Sequence, residues 1–87
     1  MYYVYLIKSK RDRNLYTGCT SELRIRFEKH NNNQVPSTRN RGPFELIYYE
    51  AYKNKGDAFH REHNLKLRAN ALTGLRRRLA KSLSEAL

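Results

Sequence analysis

Residues 2–7, Tyr-Tyr-Val-Tyr-Leu-Ile, are apolar or aromatic at every position, which suits an extended segment covered on both faces. The pattern predicts a strand near the middle of a sheet. Residues 8–14 form a polar turn with Asp12 and Asn14, and 15–19 form a second short strand, so the pair reads as a hairpin. Gly18 sits inside that strand, at a place where another group needs to come close. Thr20 or Ser21 can cap a helix running to about Asn31, with Glu22 favourable in its first turn. On a wheel of about 100° per residue, Leu23, Arg26, Phe27 and His30 share one sector about 100° wide. Two ionisable groups thus lie on the side that should meet the sheet.

Residues 31–43 are a loop by composition, rich in Asn, Ser, Thr and Pro and carrying Arg39 and Arg41. Residues 44–52 predict a third strand, with Phe44, Leu46, Tyr48 and Tyr52 on one face and Ile47, Tyr49 and Ala51 on the other. Asn54 or Asp57 can start a second helix over about 55–68, whose apolar stripe of Ala58, Phe59 and Leu65 contains Glu62. Asn70 is expected to cap a third, amphipathic helix over 70–86, with Leu72, Leu75, Leu79, Leu83 and Ala86 along one side. The coarse order is β-β-α-β-α-α. No internal repeat or low-complexity tract interrupts it, so one domain over 1–87 is expected, with the hairpin-to-second-helix region at 2–68.

Charge sharpens this picture. Lys and Arg number 18 against 8 Asp and Glu, giving a net charge of +10, and such an excess is usually matched by a polyanionic partner. Hydrophobic residues are 39%, enough for a folded core, and no apolar run approaches the roughly 18 residues of a membrane span. Met1 leads into tyrosines rather than into a charged and then apolar signal segment. A single cysteine, Cys19, excludes an internal disulfide framework and a thiolate zinc knuckle. The expectation is a soluble protein of the cytoplasm, with the nucleoid as an alternative address, and no membrane partner.

Tyrosines on the hairpin, Arg26 and His30 on one helix, and Glu62 on another are all aimed at one sheet. Burying such groups is costly unless they line a cleft and have partners. They are also the residue types that phosphodiester hydrolysis uses: a carboxylate for a hard cation, a guanidinium for the phosphate, and a proton acceptor near the attacking water. Taken singly, each has a plainer role. The tyrosines can be packing residues, Arg26 a snorkelling surface cation, His30 a partner of the helix C-terminus and Glu62 a boundary carboxylate. His60 and His63 stand three apart on a helix, roughly opposite Glu62, with no third ligand in sight. Arg39, Arg41, Lys66, Arg76, Arg77 and Arg78 can form a track for a nucleic-acid backbone, or simply a solvated face.

Tyr3-Val4-Tyr5, a gap of ten residues after Tyr5, Tyr16-Thr17-Gly18, then Arg26 and His30, resembles the GIY-YIG nuclease domain. In that family an Arg follows ten residues after the second motif's Tyr, a His or Tyr fourteen after it, and a Glu occupies a later helix. Tyr16 stands in that register with Arg26 and His30, and Glu62 in Ala58-Phe59-His60-Arg61-Glu62 matches the metal-binding Glu. Thr38-Arg39, followed by Gly42-Pro43-Phe44-Glu45-Leu46-Ile47-Tyr48-Tyr49-Glu50, is similar to the small stand-alone bacterial branch. The chain departs from the family at Tyr3 and Val4, which replace Gly and Ile, at Thr17, and at Cys19, where excision-repair members use Lys.

The resemblance implies an α+β fold, a small three-stranded antiparallel sheet flanked by helices. It also implies a DNA endonuclease, structure- or damage-directed in repair or recombination, with RNA as the other possible substrate. One Mg²⁺ or Mn²⁺ would be held by Glu62. Tyr16 would lie against the attacking water with Tyr5 beside it, Arg26 would hold the scissile phosphate, and His30 would relay a proton or touch the phosphate. A phenol of pKa about 10 is ionised to only about one part in a thousand at neutral pH, so a full phenolate base needs about 4 kcal/mol from the metal and Arg. A proton relay through the metal's water shell serves equally. The motif departures imply the alternative, a catalytically weak nucleic-acid-binding module on the same scaffold.

Overall fold

Tyr2–Ser9 forms β1, and this doubly covered segment is the middle strand of a three-stranded antiparallel sheet of order β2-β1-β3. The structure is a computed structural model and describes residues 1–86. Leu15–Thr20 (β2) and Phe44–Tyr52 (β3) pair with its two edges. Side chains alternate across β1, so Val4 and Leu6 point to one face, Tyr5 and Ile7 to the other, and all four are at most 2% exposed. Each fully buried aliphatic side chain here contributes about 1.5–3 kcal/mol. The Val4–Leu6 face is covered by Lys55–Leu67 (α2) and Ala69–Arg78 (α3) through Ala58, Leu65 and Leu75. The Tyr5–Ile7 face is covered by Leu23–Asn31 (α1), whose Leu23 and Phe27 pack with Phe44. The loop to β3 contains a 3-10 turn, Pro36–Thr38, and the described chain ends beyond a short helix, Ala80–Glu85 (α4).

Gly18 lies opposite Tyr5 in the sheet, and a Cβ there would collide with the Tyr5 phenol. The close approach that a strand glycine suggests is therefore made by a tyrosine ring.

Several local expectations give way to tertiary demands. The alternation of β3 breaks at Ile47: Leu6 pairs with Tyr48 but Ile7 with Leu46, so β3 carries an extra residue. Phe44 consequently joins the Tyr5–Ile7 face, while Tyr48 and Tyr52 pack on the Val4–Leu6 face. Thr20 does not cap α1. Its hydroxyl accepts from the Glu22 N–H at 3.0 Å and shapes the turn before the helix. Asn54 does cap α2, accepting from the Gly56 and Asp57 amides. Asn70 caps nothing, because α3 begins directly after one extended residue, Arg68, whose carbonyl accepts from Ala71 at 3.0 Å.

The single helix expected over 70–86 is two helices. It breaks at Leu79, with φ −103° and ψ 19°, between α3 and α4. Beyond the break, Leu83 and Leu15 of the hairpin line one small cavity, and Ala86 is only 5% exposed.

Candidate active site

α1 ends against the hairpin, and that contact organises the polar groups. His30 is 0% exposed and lies between a strand and a loop. Its Nε2 is 2.7 Å from the Tyr5 hydroxyl, and its Nδ1 is 2.7 Å from Thr38 Oγ1. Thr38 in turn reaches the Val35 carbonyl at 3.5 Å, so its oxygen accepts from Nδ1–H. Nε2 is then the acceptor and Tyr5 the donor. Burial pushes Tyr5 up to about 12, against the pull of the nearby Arg26 guanidinium, while Tyr16 and Glu62 push it further up. Burial, helped by the Arg26 charge, holds His30 down at about 4. At neutral pH the pair is a protonated phenol donating to a neutral imidazole.

Tyr16 lies on the other side of His30, edge-on at 5.1 Å between ring centroids, and its hydroxyl accepts from Ser37 at 3.1 Å. From α2, on the opposite face, Glu62 reaches the β2 edge, and its charge is felt by both Tyr5 and Cys19. Lys66, one turn further along, bonds Glu62 at 3.1 Å and sits 5.3 Å above the Tyr16 ring. Beside Arg26 a cavity of about 230 Å³ opens, lined also by Thr20, Glu22, Ile25 and Lys29. Tyr5, Tyr16, Arg26, His30 and Glu62 therefore surround one edge of the sheet.

The GIY-YIG catalytic domain model matches residues 1–77. The chain belongs to the GIY-YIG family. A UPF0213 protein of Clostridium perfringens is 46% identical over 67 residues, covering 76% of this chain and 71% of the relative. A UPF0213 protein of Oceanobacillus iheyensis is 39% identical over 66 residues, covering 75% and 76%. The solution NMR structure of a UPF0213 protein from Bacillus halodurans superposes with a TM-score of 0.54 at 35% identity, covering 86% of this chain and 82% of that one. UPF0213 proteins are the small stand-alone group of this nuclease fold.

GIY-YIG nucleases generally depend on a divalent metal. The donor set here suits a hard cation. The described residues contain no cluster of three His, Cys, Asp or Glu. His30 has both nitrogens occupied by protein groups, and burial together with Glu62 pushes the Cys19 thiol up, so it stays protonated. What remains is the oxygen of Glu62, fitting an ion that keeps water and takes its other ligands from substrate phosphate, and not fitting zinc.

Of the roles expected of His30, direct contact with phosphate is closed by its burial. The six cations of the expected track do not share a surface. Arg39 follows the turn beside His30, whereas Arg76, Arg77 and Arg78 lie on α3, which covers the other face. Arg41 is occupied: its Nε donates to Asp12 at 2.7 Å, and the guanidinium holds the Asp12 carboxyl down at about 2. His60 is exposed and lies within hydrogen-bond distance of Asn64, 3.2 Å away, and His63 is exposed. Thr38 carries part of the family resemblance, but neither its bond to His30 nor that of Ser37 to Tyr16 is marked by the sequence; Pro36, which opens their 3-10 turn, is the one local signal.

Proposed function

We propose that this chain is a divalent-metal-dependent DNA endonuclease, directed to branched or damaged DNA in repair or recombination, and working in the cytoplasm or at the nucleoid. What supports the reading is the meeting of Tyr5, Tyr16, Arg26, His30 and Glu62 at one sheet edge. Glu62 would hold Mg²⁺ or Mn²⁺, which when bound would supply positive charge to the phosphate and acidify a water. Arg26, beside an open cavity, binds the scissile phosphate and offsets the charge that develops on its oxygens. Tyr5 keeps its proton at neutral pH, so it orients and does not act as the base. The water-facing phenol is that of Tyr16, which is half-buried and hydrogen-bonded only to an exposed serine. His30 acts through Tyr5 as a positioning residue.

A second reading, a weakly catalytic nucleic-acid-binding module, is favoured by one observation: Lys66 already neutralises Glu62. Incubation of branched, nicked and single-stranded DNA with Mg²⁺ or Mn²⁺ separates the two. The nuclease reading expects nicking by the native chain and none by Glu62→Ala. Equal residual nicking by both proteins means a contaminant and removes the assignment. Salt-sensitive binding without metal-stimulated cleavage selects the binding module.

A further inference from the structure

The break at Leu79 has a consequence on the face of the sheet away from Tyr5. After the break, α4 brings Leu83 to the wall of a cavity of about 130 Å³ that it shares with the hairpin. Its walls are Lys8 of β1, Arg13 and Asn14 of the turn, Leu15 of β2, Arg76 of α3, and Leu83. Three cations from three separate elements line it, and no carboxylate does. The ion pairs among the described residues are Arg41–Asp12, Arg61–Glu50 and Lys66–Glu62, and none engages Lys8, Arg13 or Arg76. Glu45 is opposite Lys8 in the sheet register but is not in an ion pair with it.

The turn that presents Arg13 is tightly held. Ser9 Oγ accepts from the Arg11 and Asp12 amides at 3.1 and 3.0 Å, and Asp12 Oδ1 accepts from the Asn14 amide at 2.9 Å. Two other arginines of this region are committed elsewhere, Arg11 to the Asn40 carbonyl and Arg41 to Asp12. Arg13 itself has φ 65°, in the left-handed region where glycine or asparagine is at ease and a long side chain is not. A large cation is thus carried in an unfavourable backbone conformation and delivered to a cavity already lined by two like charges. A bound anion would relieve that repulsion. The mixture of guanidinium forks, an ammonium and a side-chain amide suits tetrahedral phosphate oxygens.

We propose that this cavity is a phosphate-binding site, separate from the Arg26 cleft, and that it holds a backbone phosphate of a bound nucleic-acid strand. Only the source of the phosphate rests on the nuclease reading. Leu15 of the cavity and Tyr16 of the candidate active site are consecutive residues on the edge strand β2 and point to opposite faces, so one strand crossing that edge meets both the cavity and the Tyr16 phenol.

The test uses the full chain without divalent metal. Inorganic phosphate and a single-stranded oligonucleotide are each titrated while backbone amide resonances are followed, and oligonucleotide affinity is measured against salt. The variant is Arg13→Gly with Arg76→Gln; glycine eases the backbone at φ 65°, so its melting temperature should hold or rise. The expected result is that phosphate shifts the amides of Lys8, Arg13, Asn14 and Arg76 in the native chain only. Oligonucleotide affinity should fall about tenfold in the variant, and the slope of log K against log salt should flatten by about one to two. Phosphate shifts at the cavity with an unchanged oligonucleotide affinity and slope would keep the phosphate site but make its ligand a free phosphate, overturning the strand assignment. No shift there with either probe overturns the proposal altogether. Cleavage by the native chain and its loss in Glu62→Ala are read separately, so a silent cavity in an active nuclease counts against this site alone.

Discussion

Two tyrosine networks, one buried and one half-buried, lie on opposite faces of the sheet, and they end differently. Under α2, Tyr48 and Tyr52 donate to the two oxygens of Glu50 at 2.8 and 2.5 Å, and Arg61 closes the same carboxylate with contacts of 3.0 to 3.1 Å. Both carboxylate oxygens of Glu50 are thus taken by protein donors, two phenols and the Nε and Nη2 of one guanidinium. Under α1, the string from Thr38 through His30 to Tyr5 ends beside Arg26, and Arg26 faces a cavity of about 230 Å³. The first network clamps α2 to β3. The second is a rigid backing for one cation that still has room in front of it. Burial of polar groups alone would not distinguish them; the open end does.

Removing the two arginines should give opposite phenotypes. Arg26→Ala should lower metal-dependent cleavage by about 10²–10³-fold, the usual loss when a group that meets transition-state charge is deleted, with little change in melting temperature. Arg61→Ala should instead destabilise the fold by about 2–3 kcal/mol in urea unfolding, because it leaves the Glu50 carboxylate, 13% exposed, without its cation. Its cleavage at a temperature where it remains folded should stay within a few-fold of the native rate. A reversal of these two phenotypes would mean that the closed and open networks have been assigned to the wrong faces.

Acid should act on the two networks in different windows. His30 titrates at 6.5 in an open chain and at about 4 in the fold. Between those values the unfolded chain binds the extra proton, so unfolding becomes easier as pH falls: stability is full above about 6.5 and drains away toward about 4. The step is roughly 3 kcal/mol. Glu50 is held below its ordinary 4.5 by Arg61 and its two phenols, which outweigh its burial, so its contribution is lost only at lower pH. Urea unfolding at pH 7 and pH 4.5 should show most of the His30 step, and His30→Gln should flatten it. A native chain equally stable at both values would mean that the imidazole accepts a proton without penalty.

Much of this arrangement was legible in the chain because it depends on short-range pattern. β1 is apolar on both faces, so its central place followed from composition, and Arg26 and His30 share a helical face because they are four residues apart. Other features depend on partners remote in sequence. Arg41 reads as a free cation until Asp12, 29 residues away, is folded against it. Ser37 and Thr38 lie in a stretch whose polarity announces only a loop, yet they orient Tyr16 and His30. The extra residue at Ile47 and the break at Leu79 both occur within runs whose apolar periodicity continues through them, so nothing local marks either. Periodicity shows which positions want to be buried; it does not show against what.

The smallest effect expected concerns the cation that crosses between the two faces. Lys66 belongs to the α2 side but lies over Tyr16 and against Glu62, one helical turn before it. As an i,i+4 pair on a helix, with Lys66 42% exposed, this contact contributes only about 0.3–0.5 kcal/mol to folding. Lys66→Gln should therefore leave the melting temperature nearly unchanged. It should nevertheless tighten Mn²⁺ binding to the DNA-free protein by a few-fold, read by paramagnetic broadening near Glu62, since a metal ion would no longer compete with the ammonium. Oligonucleotide binding should weaken by a similar factor, because the same charge faces the strand. If Mn²⁺ affinity stays fixed while oligonucleotide binding falls, Lys66 serves the nucleic acid alone and leaves the carboxylate freely. If both stay fixed, it is an ordinary helix-surface pair, and the bridge between the two faces disappears.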